Sequence, residues 1–185
     1  MKYLILLSML FFVSEFALMI VKRSKKIKSK QQGDKGSLVL LWVMITLCLT
    51  LGFSFASYSI WSLTNLIIAS FGLLIILIGV TVRWISIIQL SSAFTVDVAI
   101  ANDHKLKTNG IYKYIRHPSY SGLLLIMTGF AICMNSVISL FVAIVPMVAA
   151  ILYRIYVEEQ MLTNEFGDVY TSYKKQASKV IPWIL

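Results

Sequence analysis

Two clusters of residues in this chain have the types and spacing for chemistry. The first is the run Asn109-Gly110-Ile111-Tyr112-Lys113-Tyr114-Ile115-Arg116-His117-Pro118-Ser119-Tyr120-Ser121-Gly122. His117 precedes a proline and is biased to an extended or turn conformation. Pro118 suits the first turn of a helix, where its missing N–H costs nothing. The start of such a helix offers free N–H groups and partial positive charge to a carboxylate or phosphate, and Arg116 would reinforce it. The plainer reading is that Arg116 and His117 anchor the helix among lipid headgroups. The second cluster is Arg154 with Glu158 and Glu159. Arg154 and Glu158 are spaced i, i+4 and share one helix face. A surface ion pair would have the same spacing and is worth little. The functional reading is a cation and an anion fixed where a lipid-borne group meets a water-soluble one.

The elements that must position these residues are membrane helices. Of 185 residues, 58% are hydrophobic and only 14% charged, with a mean hydropathy of +0.81. An ordinary soluble domain is nearer one quarter charged. Apolar stretches cover residues 3–21, 38–56, 63–82, 120–134 and 137–153. A spanning helix needs roughly 20 apolar residues, which the first three supply. The last two are shorter and separated only by Asn135-Ser136, which predicts a helical hairpin. The first stretch has one basic residue before it and a basic loop after it, and is expected to be a retained helix rather than a signal peptide.

Charge placement predicts the topology. The loop 22–37 holds Lys22, Arg23, Lys25, Lys26, Lys28, Lys30 and Lys35. Arg83, Lys105, Lys107, Lys113 and Arg116 follow the third stretch, and Arg154, Lys174, Lys175 and Lys179 follow the fifth. With five alternating spans all of these fall on one side, and only Lys2 on the other. The positive-inside rule then puts the N-terminus outside and the C-terminus in the cytoplasm. The net charge of +9 is thereby explained by the membrane, and no nucleic-acid partner is expected. Cys48 and Cys133 sit inside apolar runs, so neither a disulfide framework nor a metal site is expected. The fifth helix, extended to Phe166, would be about 45 Å long against a hydrocarbon core of about 30 Å, so its last turns must project into the cytosol. Glu15 lies inside the first stretch. An intramembrane acid is a functional hint by default, yet a protonated Glu15 facing Ser or Thr of a neighbouring helix would also account for it, and it stays unassigned.

The string Gly110-Ile111-Tyr112 followed by Arg116-His117-Pro118-Ser119-Tyr120-Ser121-Gly122 resembles the G-x-Y-x-x-x-R-H-P-x-Y-x-G signature of the isoprenylcysteine carboxyl methyltransferase family. Arg154-x-x-x-Glu158-Glu159, Phe166-Gly167-x-x-Tyr170-x-x-Tyr173 and Ile181-Pro182 match it in order and spacing. The resemblance covers roughly residues 83–185. R-H-P-x-Y alone is shared with phospholipid methyltransferases and other small membrane methyltransferases, and the first two stretches match in hydrophobicity only.

The resemblance implies an all-α integral membrane methyltransferase that uses S-adenosyl-L-methionine at a cytoplasmic site. It forms one domain, with three N-terminal spans in 1–82 and a catalytic region in 83–185. By position, His104, Lys105, Leu106 and Lys107 would line the cofactor beside Tyr112. His117, Pro118, Ser119 and Tyr120 would form the turn that holds it, and Glu158 would contact it from the last helix. Arg154 would hold the acceptor. From the residues themselves, Arg116 suits the cofactor carboxylate and Glu158 its ammonium or hydroxyls. An acceptor carboxylate needs no strong base, so proximity and alignment would carry catalysis, with Arg154 aiming it. A phenol or enol acceptor would want a base, and Glu159 or His117 is placed for that.

The expected partner is a lipophilic or prenylated acceptor arriving through the bilayer. The expected location is the cell membrane in a prokaryote or the endoplasmic reticulum in a eukaryote. The alternatives are N-methylation of phospholipid headgroups, S-methylation of small thiols and, further off, a nicotinamide-dependent membrane reductase.

Overall fold

The computed structural model of the chain describes residues 7–9, 11–16, 36–58, 66–90 and 106–182. The basic loop, His104 and Lys105 lie outside the described residues. The chain is all-α: α1 is Leu7–Phe16, α2 Ser37–Tyr58, α3 Leu66–Leu90, α4 Pro118–Cys133, α5 Val137–Phe166 and α6 Asp168–Gln176, with a 3-10 turn at Gly110–Lys113. Ser37–Ala56, Ile67–Leu90 and Val137–Phe166 are long and apolar enough to cross a membrane. The two other apolar helices, α1 and α4, are shorter. With 16 residues, α4 reaches only about 24 Å. The predicted hairpin is present, and its turn is made by Asn135 at φ 53. The third predicted span continues two turns further, to Leu90.

Local sequence explains the boundaries. α4 begins at Pro118 directly after His117, where a proline is preorganised for the first turn. Ser136 caps α5 by accepting a hydrogen bond from the Ser139 N–H, satisfying one orphan donor. α5 stops at Gly167, φ 52, a conformation that favours glycine. α6 follows with Asp168 in its first turn and Lys174 and Lys175 in its last, the charge order that the helix dipole favours.

The helices pack mainly as α3 on α4 and α2 on α5, with α4 and α5 joined as the hairpin. Small residues set the α3–α4 distance. A Cβ on Gly72 would stand 2.9 Å from the Gly129 carbonyl oxygen, and one on Gly79 would stand 2.8 Å from that of Gly122. The two pairs are seven residues apart on both antiparallel helices, so a single glycine seam lets the backbones touch. The α2–α5 contact is pinned by the Ser139 hydroxyl, which donates to the Gly52 carbonyl at 2.8 Å. Phe11 of α1 meets Phe130 of α4 edge to face, ring centroids 6.2 Å apart. Leu123, Ile126, Met127, Met147 and Ile151 fill the centre.

Candidate active site

The polar end of α5, the start of α4, the 3-10 turn and the C-terminal tail converge. Helical periodicity places Arg154 and Glu158 one turn apart, and Glu159 follows on the adjoining face. The His117 ring lies between the two acids, with Nδ1 3.7 Å from Glu158 Oε2 and Nε2 3.2 Å from Glu159 Oε1. His117 is 4% exposed, whereas the Glu158 side chain is 30% exposed. Of the two carboxylates, Glu158 is the more open to a ligand.

Glu159 is the hub of a charge cluster. It accepts from Arg116 Nε at 3.0 Å and from His117, and lies 3.4 Å from Lys174 Nζ. Burial alone would push its carboxyl up, but the His117 hydrogen bond and the charges of His117, Arg116 and Lys174 outweigh burial and hold it at about 2. The Arg116 guanidinium turns toward α6, where Nη1 donates to the Lys174 and Ala177 carbonyls. It thereby caps a helix C-terminus whose carbonyls have no intrahelical partner.

The tail then runs beside the signature segment. Ile115 and Ser178 form a parallel bridge. The Arg116 N–H donates to Ser178 O at 2.8 Å and the His117 N–H to Lys179 O at 3.1 Å. The Ser121 hydroxyl donates to the Val180 carbonyl.

Tyr112 is buried and donates to the Ser86 carbonyl at 3.2 Å, and burial, followed by the charge of Glu158, raises its phenol. The Tyr173 hydroxyl donates to the Tyr112 carbonyl; burial pushes this phenol up to about 12 despite the nearby Arg116. Leu106 packs on the Tyr170–Tyr173 cluster, and Lys107 is half-buried. Gly110, φ +64, lies so close to the Gln89 side chain that a Cβ would collide with it. The Gln89 carbonyl oxygen accepts from the Ile111 N–H at 2.9 Å, which seats the turn on the end of α3.

At the start of α4, Pro118 is fully buried. Ser119 faces α3: its carbonyl and hydroxyl accept from Arg83 Nη1 at 3.1 and 3.0 Å. Tyr120 faces α5 and accepts from Arg154 Nε at 3.2 Å. Arg154 is 2% exposed, and its Nη1 also donates to Ser37 Oγ at 2.6 Å.

The structure therefore brings Arg116, His117, Tyr120, Arg154, Glu158 and Glu159 together, with Tyr112 and Leu106 at the margin. Ser119 points to the other side of α4. Sequence reasoning missed Ser37, Arg83, Gln89, Tyr170 and the tail backbone. Arg83 left a signal, since an acid inside the first span requires a partner, and Tyr170 stood in the matched family motif without a role. No group of three or more metal-ligating side chains forms among the described residues.

Residues 67–169 match the sequence pattern of the phospholipid methyltransferase family. The chain belongs to the phospholipid methyltransferase family. Family membership makes it a methyltransferase fold and implies a methyl donor, and its helices make it a membrane protein. Protein-S-isoprenylcysteine O-methyltransferase B of Arabidopsis thaliana is 34% identical over 63% of this chain and 60% of its own length. The protein-S-isoprenylcysteine O-methyltransferase of Saccharomyces cerevisiae is 30% identical over 74% of this chain and 59% of its own. Among solved structures, the eukaryotic intramembrane Ras methyltransferase ICMT (isoprenylcysteine carboxyl methyltransferase) superposes with a TM-score of 0.60 at 27% identity, over 77% of this chain and 52% of that one. This phospholipid methyltransferase family member thus spans between half and three fifths of the length of these relatives.

Proposed function

We propose that this protein transfers a methyl group from S-adenosylmethionine to the carboxylate of a prenylated cysteine or a comparable lipophilic acid, at the cytoplasmic face of the membrane. The observation that carries this reading is that Arg154, held by the Tyr120 hydroxyl at 3.2 Å, and the partly exposed Glu158 beside His117 stand one turn apart on α5. It sets a cation for an acceptor and an acid for a donor on consecutive turns of one helix. The names of the curated relatives support the acceptor class.

The donor set fits a cofactor that presents an ammonium, a carboxylate and ribose hydroxyls. Glu158 offers a partly exposed carboxylate to an ammonium. The Tyr170 hydroxyl, fully buried, has no hydrogen-bond partner among the described residues, and a buried hydroxyl in that state calls for one. In this reading Glu158 holds the ammonium or hydroxyls. Leu106, Lys107, Tyr112, His117, Pro118 and Tyr120 form the surrounding wall, whereas Ser119 is turned to Arg83 and away from it. The cofactor role that the family resemblance gives His104 and Lys105 falls outside the described residues. When bound, the cofactor supplies a methyl on a positively charged sulfur.

Arg154 holds the acceptor carboxylate, whose oxygen forms the new bond to the methyl carbon as the carbon–sulfur bond breaks and its electron pair stays on sulfur. No proton moves, so no base is required. Glu159, held ionised beside Arg116 and Lys174, serves as the clamp that fixes Arg116 and His117 rather than as a base. Arg116 does the same for the tail.

The three N-terminal spans (1–82) and the catalytic region (83–185) act as one domain in this proposal. Its orientation has the N-terminus outside and the C-terminus cytoplasmic, in a cell membrane or the endoplasmic reticulum according to the host. The family description keeps one competing acceptor in view, the amine of a phospholipid headgroup. A buried Arg154 repels such an amine as its positive charge approaches. Incubating membranes that contain the protein with methyl-labelled S-adenosylmethionine separates the two. A methyl ester releases labelled methanol in base, and an N-methyl group does not. Base-stable label in phospholipid would overturn the carboxylate reading.

A further inference from the structure

Ser37 opens α2 and is almost wholly buried, 1% exposed. It follows Gly36, whose φ of 72° and whose carbonyl bond to the Leu40 N–H fix where the helix starts. Ser37 Oγ accepts from Arg154 Nη1 while Tyr120 accepts from Arg154 Nε. Partners on α2 and α4 thus hold two different nitrogens of a guanidinium whose stem belongs to α5. A planar fork held at two nitrogens cannot rotate, so its plane is set before a ligand arrives. Both of these partners are neutral hydroxyls. Neither of these two hydroxyls competes with an anionic acceptor, as a carboxylate in its place would.

We infer that Ser37 is a positioning residue for the methyl acceptor, and that the acceptor site is shared between the N-terminal end of α2 and the polar end of α5. The inference rests on the proposed carboxylate methylation. Ser37 lies outside the 67–169 segment that matches the family, so the family's shared residues do not account for it. The hydroxyl acts on the acceptor only through Arg154. Glu158, the donor contact in that reading, lies beside His117, so donor binding does not depend on Ser37.

The test uses the full chain in lipid nanodiscs, with S-adenosylmethionine and N-acetyl-S-farnesylcysteine as the acceptor probe. Ser37→Ala raises KM for the acceptor about tenfold, the scale of one hydrogen bond to a charged group, and moves KM for the donor less than about twofold. Ser37→Thr, which keeps the hydroxyl, restores the acceptor KM. Thermal stabilisation by S-adenosylhomocysteine persists in both variants. Where Ser37→Ala does not fold, Ser37→Cys, similar in size and a poorer acceptor, carries the same expectation. An unchanged acceptor KM in Ser37→Ala or Ser37→Cys, with the wild type active, overturns the inference alone. So does a parallel rise of both KM values that Thr does not rescue. A wild type that methylates no carboxylate probe overturns the proposed function, and the inference falls with it.

Discussion

Glu15 and Arg83, 68 residues apart in sequence, meet as a two-point ion pair in which both carboxylate oxygens accept from the guanidinium. The side chains are 6% and 12% exposed. The same guanidinium reaches Ser119 at the start of α4, so one arginine ties α1 and α3 to the signature turn. An acid and a base that would each be costly alone inside a bilayer are thereby matched.

Removing one partner of such a pair leaves an uncompensated buried charge. Glu15→Ala is expected to destabilise the protein by about 3 kcal/mol, read as a lower Tm in detergent. The double variant Glu15→Ala/Arg83→Ala loses less than the sum of the single losses. Additive losses would show that the pair contributes nothing as a pair.

The division of labour along α5 is open to a binding experiment. S-adenosylhomocysteine raises the Tm of the wild type by mass action, and NADPH does not. Glu158→Ala loses that rise. Arg154→Ala keeps it but has no measurable methyl transfer. Equal stabilisation of all three proteins would remove the assigned roles.

Glu159 makes stability depend on pH with a defined sign. Its folded pKa of about 2 lies below the ordinary 4.5. The stabilisation is therefore complete above about pH 5, and is lost as pH falls through 4.5 toward 2. The Tm difference between wild type and Glu159→Gln should be largest near pH 7 and shrink steadily below pH 5. A difference that grows on acidification would contradict the pairing.

The glycine seam allows a steric test. Gly79→Val places side-chain carbons where the Gly122 carbonyl lies 2.8 Å from a Cβ, and backbone cannot yield as a flexible side chain can. Gly79→Val and Gly129→Val are expected to abolish a cooperative thermal transition in detergent. Gly36→Ala meets no atom within 4 Å and costs only the strain of its positive φ. Similar behaviour of all three variants would argue against close contact at the seam.

Local information in the sequence determined a good deal about this protein. Apolar run length and the charge deficit required membrane helices, and both Pro118 and the two-residue Asn135-Ser136 break marked helix boundaries that the structure has. The i, i+4 spacing of Arg154 and Glu158 placed them on one face, because helical periodicity is a property of the backbone alone. Tertiary structure decided the partners. Nothing local pairs Glu15 with Arg83 or Ser37 with Arg154, 117 residues away, since those contacts exist only once α1 and α2 have packed against α3–α5. Arg116 shows the same limit from the other direction. Its position beside a helix start suggested an anion site, but the tail returns alongside the segment 114–117 and takes the guanidinium for its own carbonyls. Composition and periodicity fix which elements form, because they act over a few residues. Which charge neutralises which is settled by the distances that packing creates.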